Sequence, residues 1–580
     1  MFYRKLSGLL LLLLSMAGCV QQKSDVELVI VQTSDIHGNF YPEPSIGNDR
    51  LPSSLTNICS YVNEQRAQYG DNLLLFDNGD ILQGQPIVYY YNYVDTTSMH
   101  LAAAMLNYMG YNVGNVGNHD IEAGENVFNR WTKDCNFPIL GANIVDTLTG
   151  QPYFTPYTVL KRDGVKIAVL GMVTPAIPIW VPEDKWAGLR FDDMMETARK
   201  WLPIIKQKEN PDLLIGLFHA GANAYTVDRR YRENAAVEVA EQVPGFDVVL
   251  MGHDHLQSCK KVKNVAGDSV LVINPGHDAE AVARIRIKLK LNEGTIVGKE
   301  ITGHLEMMKN YPPSKSFQAY FSRQEQRIRS YVQTKIGSIS KTISTRDAYF
   351  GPNAFVSLIH QIQLEVCNAD ISLASPLSYN TEIRQGDVTM GDIFRFYTFE
   401  NQLYTIEMYG REIRDELEMS YNQWTNRMLS PDEHLLLLRE QPLGGTGERS
   451  YFVNYTSNFD SAAGIYYTVD VTRPMGNKIT ITGLTDGRPF ELDRLYRVAV
   501  NSYRANGGGE MLIKGGGISS DELKHRVLYK SPYDFRYYLR KYFQRNKVVT
   551  PQILGTWRFE PQKWTAPAAK RDYEYLFGEK

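Results

Sequence analysis

The sequence predicts an α/β protein of two domains, and three observations predict it. At 580 residues the chain exceeds what one hydrophobic core usually supports, so it divides. Between Val26 and about Leu305, the apolar runs ELVIVQT, NLLLF, VKIAVLGMV, DLLIGLF, FDVVLM and SVLVIN alternate with longer amphipathic stretches, the pattern of layered α and β structure. From about Tyr311 the composition changes. Pro312 and Pro313 interrupt regular structure ahead of a charged, helix-compatible segment, and beyond it lies a region rich in tyrosine, phenylalanine and glycine.

In chain order the expected elements are an export signal over 1–18, a first domain over 26–305, a linker carrying a bridging helix over 306–337, a second domain over 338–545 and a packed C-terminal tail over 546–580. Arg4 and Lys5 precede LSGLLLLLLSMAG, which is too short to span a bilayer and ends at Cys19. Met16-Ala17-Gly18-Cys19 resembles the lipobox of bacterial lipoproteins. That implies a lipid-modified Cys19, a membrane anchor and a place in the bacterial cell envelope, as a periplasmic or outer-membrane lipoprotein; the alternative is an ordinary signal peptide cut near Gly18. Cys59, Cys135, Cys259 and Cys367 show no CxxC spacing, so neither a zinc knuckle nor a thioredoxin-like pair is signalled. A net charge of -3 argues against a general binder of nucleic-acid polymers. The second domain contributes the strand-like segments LYTIEMYG and RLYRVAVNSY.

The chemistry is carried by the polar residues placed directly after the apolar runs of the first domain. ELVIVQTS is followed by Asp35 and His37, NLLLFDNG by Asp80, YNVGNVG by Asn118 and His119, FDVVLMG by His253 and His255, and DLLIGLF by His219. Ligands of open α/β sheets bind beyond the carboxyl ends of the strands, so five strand ends converge on one place. Imidazoles and carboxylates in this mixture suit two divalent cations held close together. Asp35 and His37 alternate onto one side of an extended backbone and so face one cation. A purely structural reading makes these groups caps and turn residues. Against it stands the placement of His37, His119, His219, His253 and His255, five of the eleven histidines, in these segments.

In order, SDIHG, DNGDILQG, GNHDIE, GLFHAG and GHDH resemble the motif series DxH, GD, GNH(D/E), H and GHxH of the calcineurin-like metallophosphatases. The resemblance implies a four-layer α/β/β/α sandwich. It also implies one metal on Asp35, His37, Asp80 and His255 and a second on Asp80, Asn118, His219 and His253, with Asp80 bridging; manganese, zinc, iron or cobalt would serve. Of the two aspartates in DNGD, the family pattern selects Asp80 over Asp77. Such a pair of ions polarises a phosphoryl oxygen, lowers the pKa of a water and stabilises the charge of an in-line displacement, which leads to phosphate ester hydrolysis. His119 resembles the family's catalytic histidine, with Glu122 three residues on and Asp120 next to it as rival carboxylates to orient it.

In the second domain, VNYTSNFDSAAGIYYTVDVTRPMG and VAVNSYRANGGGEM resemble the C-terminal domain of 5'-nucleotidases. The likeness is greater to periplasmic 2',3'-cyclic-nucleotide 2'-phosphodiesterase/3'-nucleotidases. This implies an α+β substrate domain in which Phe459 and Tyr503 sandwich a nucleobase, Arg504, Gly507 and Gly508 lie close to the ligand, and the domain rotates about a hinge within Tyr311 to Gly337. Asn380 and Arg384 match a segment that contacts substrate, although SYNTEIR stands where the family has NGGGIR; Gly509 stands where it has the aspartate of GGDG. The expected function is therefore hydrolysis of nucleotides to nucleoside and phosphate, with 2',3'-cyclic and 3'-nucleotides ahead of 5'-nucleotides. The rivals are a thiosulfohydrolase of the same fold, against which the paired aromatics argue, and a non-catalytic nucleotide-binding lipoprotein, against which the complete ligand set argues.

Overall fold

Most strands of the first domain form two six-stranded sheets, with Ile144–Asp146 and Leu189–Phe191 pairing apart. The first runs, in spatial order, Thr295–Met307, Ala281–Asn292, Val26–Thr33, Leu73–Asp77, Val113–Asn115 and Ile139–Leu140. The second runs Ser258–Lys263, Ser269–Asn274, Val248–Leu250, Leu213–His219, Val165–Val173 and Tyr157–Arg162. The computed structural model describes residues 25–46, 50–223, 231–292, 295–442 and 448–578, so the expected export signal and Cys19 lie outside it. Among the described residues no helix is long and apolar enough to cross a membrane.

The strand that ends at Thr33 is parallel to Leu73–Asp77, which is parallel in turn to Val113–Asn115. In the other sheet Val165–Val173, Leu213–His219, Val248–Leu250 and Ser269–Asn274 are all parallel. Parallel strands are buried on both faces, which is why they read as unbroken apolar runs. Alternation assigns each side chain to a layer. Leu28 and Ile30, with Ile167, Val169, Ile215 and Leu217, fill the space between the sheets. Val29 and Val31 face outward into a core shared with helices Leu55–Tyr69 and Leu101–Met109, while Ala168, Leu214 and Phe218 face helices Met194–Glu209 and Ala236–Gln242 on the other side. The result is a four-layer α/β/β/α sandwich.

Past Met307 the chain makes two helices, Lys315–Tyr320 and Ser322–Val332, whose Phe317, Phe321, Ile328 and Val332 pack into the first domain's core. The second domain is α+β, centred on a five-stranded sheet of Ser461–Ala463, Ile371–Ala374, Leu495–Asn501, Gln402–Tyr409 and Val527–Asp534. Residues beyond 546 belong structurally to this domain: Val548–Val549 pairs with Lys335–Ile339, Trp557–Glu560 pairs with Ile465–Asp470, and helix Gln562–Phe577 packs on its aromatic core. Leu28 is fully buried between the two sheets. Leu28→Ala should cost about 2–5 kcal/mol, measured as a lower urea midpoint of the first domain's unfolding.

Candidate metal centre

All the candidate ligands lie at the carboxyl ends of parallel strands, but the local backbone differs from the expected one. The first strand ends at Thr33, and Asp35 and His37 both have left-handed φ, 53° and 49°. They sit in a turn, so strand alternation does not bring them together. Asp80, His253 and His255 are left-handed as well, with φ of 57°, 74° and 59°. Each such non-glycine residue costs roughly 1–3 kcal/mol and persists only where its surroundings over-determine it. Here the loops are laced together: Asp35 N–H donates to Gly79 O at 2.9 Å, His37 N–H to Asp80 O at 3.1 Å and Asp278 N–H to Asp35 O at 2.9 Å. Two glycines are required by close approach. A Cβ on Gly117 would lie 2.1 Å from Asp80 Oδ1, and one on Gly252 would lie 2.2 Å from Ser34 Oγ.

The side chains gather into two groups, Asp35 with His37 and His255, and Asp80 with His219 and His253. In the first, His37 Nδ1 meets the carbonyl of Gln83 at 3.3 Å, which leaves Nε2 as a lone pair. That atom lies 3.1 Å from His255 Nε2, and the latter is 3.3 Å from Asp35 Oδ1. In the second, His219 Nδ1 meets Asn78 O at 2.7 Å, leaving Nε2 3.1 Å from Asp80 Oδ2 and 3.1 Å from Asn118 Oδ1. His253 Nδ1 is 2.8 Å from the same Asn118 oxygen. Carboxylate, amide and imidazole ligand atoms thus converge in one largely buried space, an arrangement that fits bound divalent cations. Asp80 Oδ1 accepts the His119 N–H at 2.8 Å, so Oδ2 is the oxygen that a bridging role would use. Burial opposes the charge on Asp35 and Asp80, yet the imidazoles around them hold both carboxyls below the ordinary range. Conversely, burial pulls His219 down, but Asp80 and Asp35 outweigh it and raise the ring to about 10. The pocket calls for positive charge.

The two carboxylates of GNHDIE have separate tasks. Glu122 Oε2 lies 2.5 Å from His119 Nδ1. Asp120, the rival orienter in the sequence, is instead fully buried and accepts the backbone N–H groups of Asp80, Ile81, Leu82 and Gly117 at 2.8–3.0 Å. It holds the loop that carries Asp80. Burial lowers His119, but the carboxylates of Asp80 and Glu122 prevail and raise it to about 9. Asp77 accepts from the Thr33 hydroxyl at 2.7 Å, and Asp254 accepts from Ala222 N–H and Asn274 Nδ2, so both stay out of the ligand groups.

The substrate residues expected in the second domain divide. Tyr503 is partly exposed, and a Cβ on Gly508 would meet its ring at 2.5 Å, so that glycine lets the loop pack beneath the ring. Burial raises the Tyr503 phenol against the lowering effect of the neighbouring Arg504 guanidinium. Phe459 is a correction: it is fully buried, parallel to Trp424 at 5.6 Å and edge-on to Tyr349 and Phe452, so it does not present a face to a base. Arg504 is also redirected. It is 3% exposed, pairs with Asp460 at 2.8 Å and donates to Gly508 O and Ser457 O, which makes it the internal brace of the glycine loop. Gly507, with φ of 97°, turns that loop against Ile513. Asn380 is exposed and accepts from Arg346 Nε, and Arg384 is exposed and paired with Glu382, so neither points into an enclosed ligand site.

Two neighbours of the ligands escaped the sequence reading. His277 stacks on His255 at 4.6 Å, and its signal was present, since SVLVIN is another apolar run followed by a histidine in NPGHD. Glu233 lies 3.1 Å from His253 Nε2 and follows no such run. Because a Cβ at Gly117 would intrude on Asp80 Oδ1, Gly117→Ala should remove at least one equivalent of bound metal, read by elemental analysis, while far-ultraviolet circular dichroism stays unchanged.

Residues 28–257 match the calcineurin-like phosphoesterase family, and residues 334–514 match the 5'-nucleotidase C-terminal domain. The chain is 26% identical to the trifunctional nucleotide phosphoesterase protein YfkN of Bacillus subtilis over 93% of its own length, and spans 39% of that relative. It is 26% identical to the 2',3'-cyclic-nucleotide 2'-phosphodiesterase/3'-nucleotidase of Haemophilus influenzae, over 93% of this chain and 88% of that one. The structure of a putative 5'-nucleotidase from Staphylococcus aureus superposes with a TM-score of 0.74 at 20% identity, covering 92% of this chain and 100% of the other, which establishes a shared fold. The chain thus combines a calcineurin-like phosphoesterase domain over residues 28–257 with a 5'-nucleotidase C-terminal domain over residues 334–514.

Proposed function

We propose that this phosphoric ester hydrolase converts nucleotides to nucleoside and phosphate at a dinuclear centre, with 2',3'-cyclic and 3'-nucleotides preferred to 5'-nucleotides. A cyclic diester would take up one water to open and a second to release phosphate. The observation that carries this reading is the convergence of ligand atoms from Asp35, His37, Asp80, Asn118, His219, His253 and His255 at the strand ends of the first domain. The names of the Haemophilus and Bacillus relatives support a nucleotide substrate. The lipobox-like Met16 to Cys19 supports export and attachment to the cell envelope through a lipid on Cys19.

Divalent cations on these ligands supply the positive charge that polarises a phosphoryl oxygen and lowers the pKa of a water. The remaining work belongs to the chain. Glu122 meets His119 at Nδ1, so Nε2 is the atom free to donate a proton to the leaving oxygen. Asp120 keeps the Asp80 loop from shifting as charge moves through the site. Tyr503, backed by Gly508, offers a ring on which a base stacks for about 1–3 kcal/mol.

Phosphate release measured across 5'-, 3'- and 2',3'-cyclic nucleotides should rank the cyclic and 3' substrates first; turnover of none of them refutes the reading. His119→Ala should lower kcat by about 10²–10⁴-fold with bound metal unchanged. Tyr503→Ala should raise KM for nucleotides about tenfold while leaving KM for p-nitrophenyl phosphate nearly unaltered, and equal effects on both would remove Tyr503 from base binding. In cell fractionation, Cys19→Ser should move the protein from the membrane to the soluble envelope fraction.

A further inference from the structure

We infer that Glu233 is a positioning residue for the second cation site, fixing the ring of His253 so that Nδ1 is the atom presented to the ion. The inference rests on the two-cation reading of the centre and concerns which groups outside the ligand set hold it in shape. His37 and His219 are each held at Nδ1 by a backbone carbonyl, Gln83 O at 3.3 Å and Asn78 O at 2.7 Å, so both offer Nε2. His253 is held the other way round. Its Nε2 lies 3.1 Å from Glu233 Oε1, and its Nδ1 faces Asn118 Oδ1 at 2.8 Å.

A ring that donates Nε2–H to a carboxylate keeps its lone pair on Nδ1, and an ionised acceptor holds the ring more firmly and makes it a better ligand than a carbonyl does. The surroundings fit that task. Trp180 packs on the His253 ring at 5.6 Å, which limits its rotation. The Glu233 side chain is 18% exposed, so solvent screens the contact only in part. The next residue, Asn234, accepts the Gly221 N–H at 2.8 Å and so ties the Glu233 segment to the loop that follows His219. Neighbouring residues of one segment therefore contact His253 and the loop that follows His219.

The test uses the full-length protein stripped with a chelator and titrated with Mn²⁺ by calorimetry, with electron paramagnetic resonance to report spin coupling between paired ions. Wild type should take up two ions. Glu233→Ala should weaken one site about 10–100-fold and leave the other unchanged, so that the coupled signal appears only at higher Mn²⁺. Glu233→Gln, which keeps an acceptor without the charge, should fall between the two. Wild-type affinities in both variants would overturn the role, as would equal weakening of both sites, which would make Glu233 a general structural residue. A wild-type chain that takes up fewer than two ions would overturn the dinuclear centre itself, and Glu233's role with it.

Discussion

The centre depends on one electrostatic constraint: carboxylate, amide and imidazole acceptors meet in a buried space where positive charge must join them. Asp35 and Asp80 are shielded from solvent and flanked by acceptor atoms of His37, His219, Asn118, His253 and His255. Burying an uncompensated carboxylate is costly, so the arrangement is stable only with cations or protons among the ligands. Much of the first domain serves that geometry. Parallel strands in two stacked sheets end at one edge, and the turns beyond them adopt left-handed backbone at Asp35, His37, Asp80, His253 and His255. That strain amounts to several kcal/mol in total, and binding of ions to the folded state offsets it by mass action.

The same economy of charge separates residues that look equivalent in the motifs. Asp120 and Glu122 lie two positions apart, yet one is enclosed by four backbone N–H groups and the other meets the His119 imidazole. In the second domain Arg504 sits in a motif expected to lie close to the ligand, but its guanidinium is engaged by Asp460 beneath the glycine loop. Burial, with Asp460 nearby, pushes the Glu416 carboxyl well above its ordinary range. Such a brace holds the turn that carries Tyr503.

The two domains are also joined directly. Tyr93 of the first domain donates to Glu400 of the second at 3.2 Å and to Ala123 O at 3.2 Å, just past the helix that carries His119 and Glu122. Arg536 packs over Tyr89 and Phe394 and lies 3.4 Å from Glu400. The contact between the domains therefore reaches the backbone at Ala123, next to the helix of His119.

The sequence by itself determined the layered α/β class, the positions of the strand ends and the ligand types placed there. Strands buried on both faces must read as unbroken apolar runs, and polar residues directly after several such runs have one shared edge to occupy. His37 and His255, 218 residues apart, were legible as neighbours for that reason. Only the tertiary structure decided which carboxylate meets His119, that Phe459 is enclosed by Trp424, Tyr349 and Phe452 while Tyr503 stays accessible, and that Glu233 reaches His253. Those outcomes depend on backbone handedness in the turns and on contacts between segments far apart in the chain. Neither leaves a local periodicity that residue spacing could reveal.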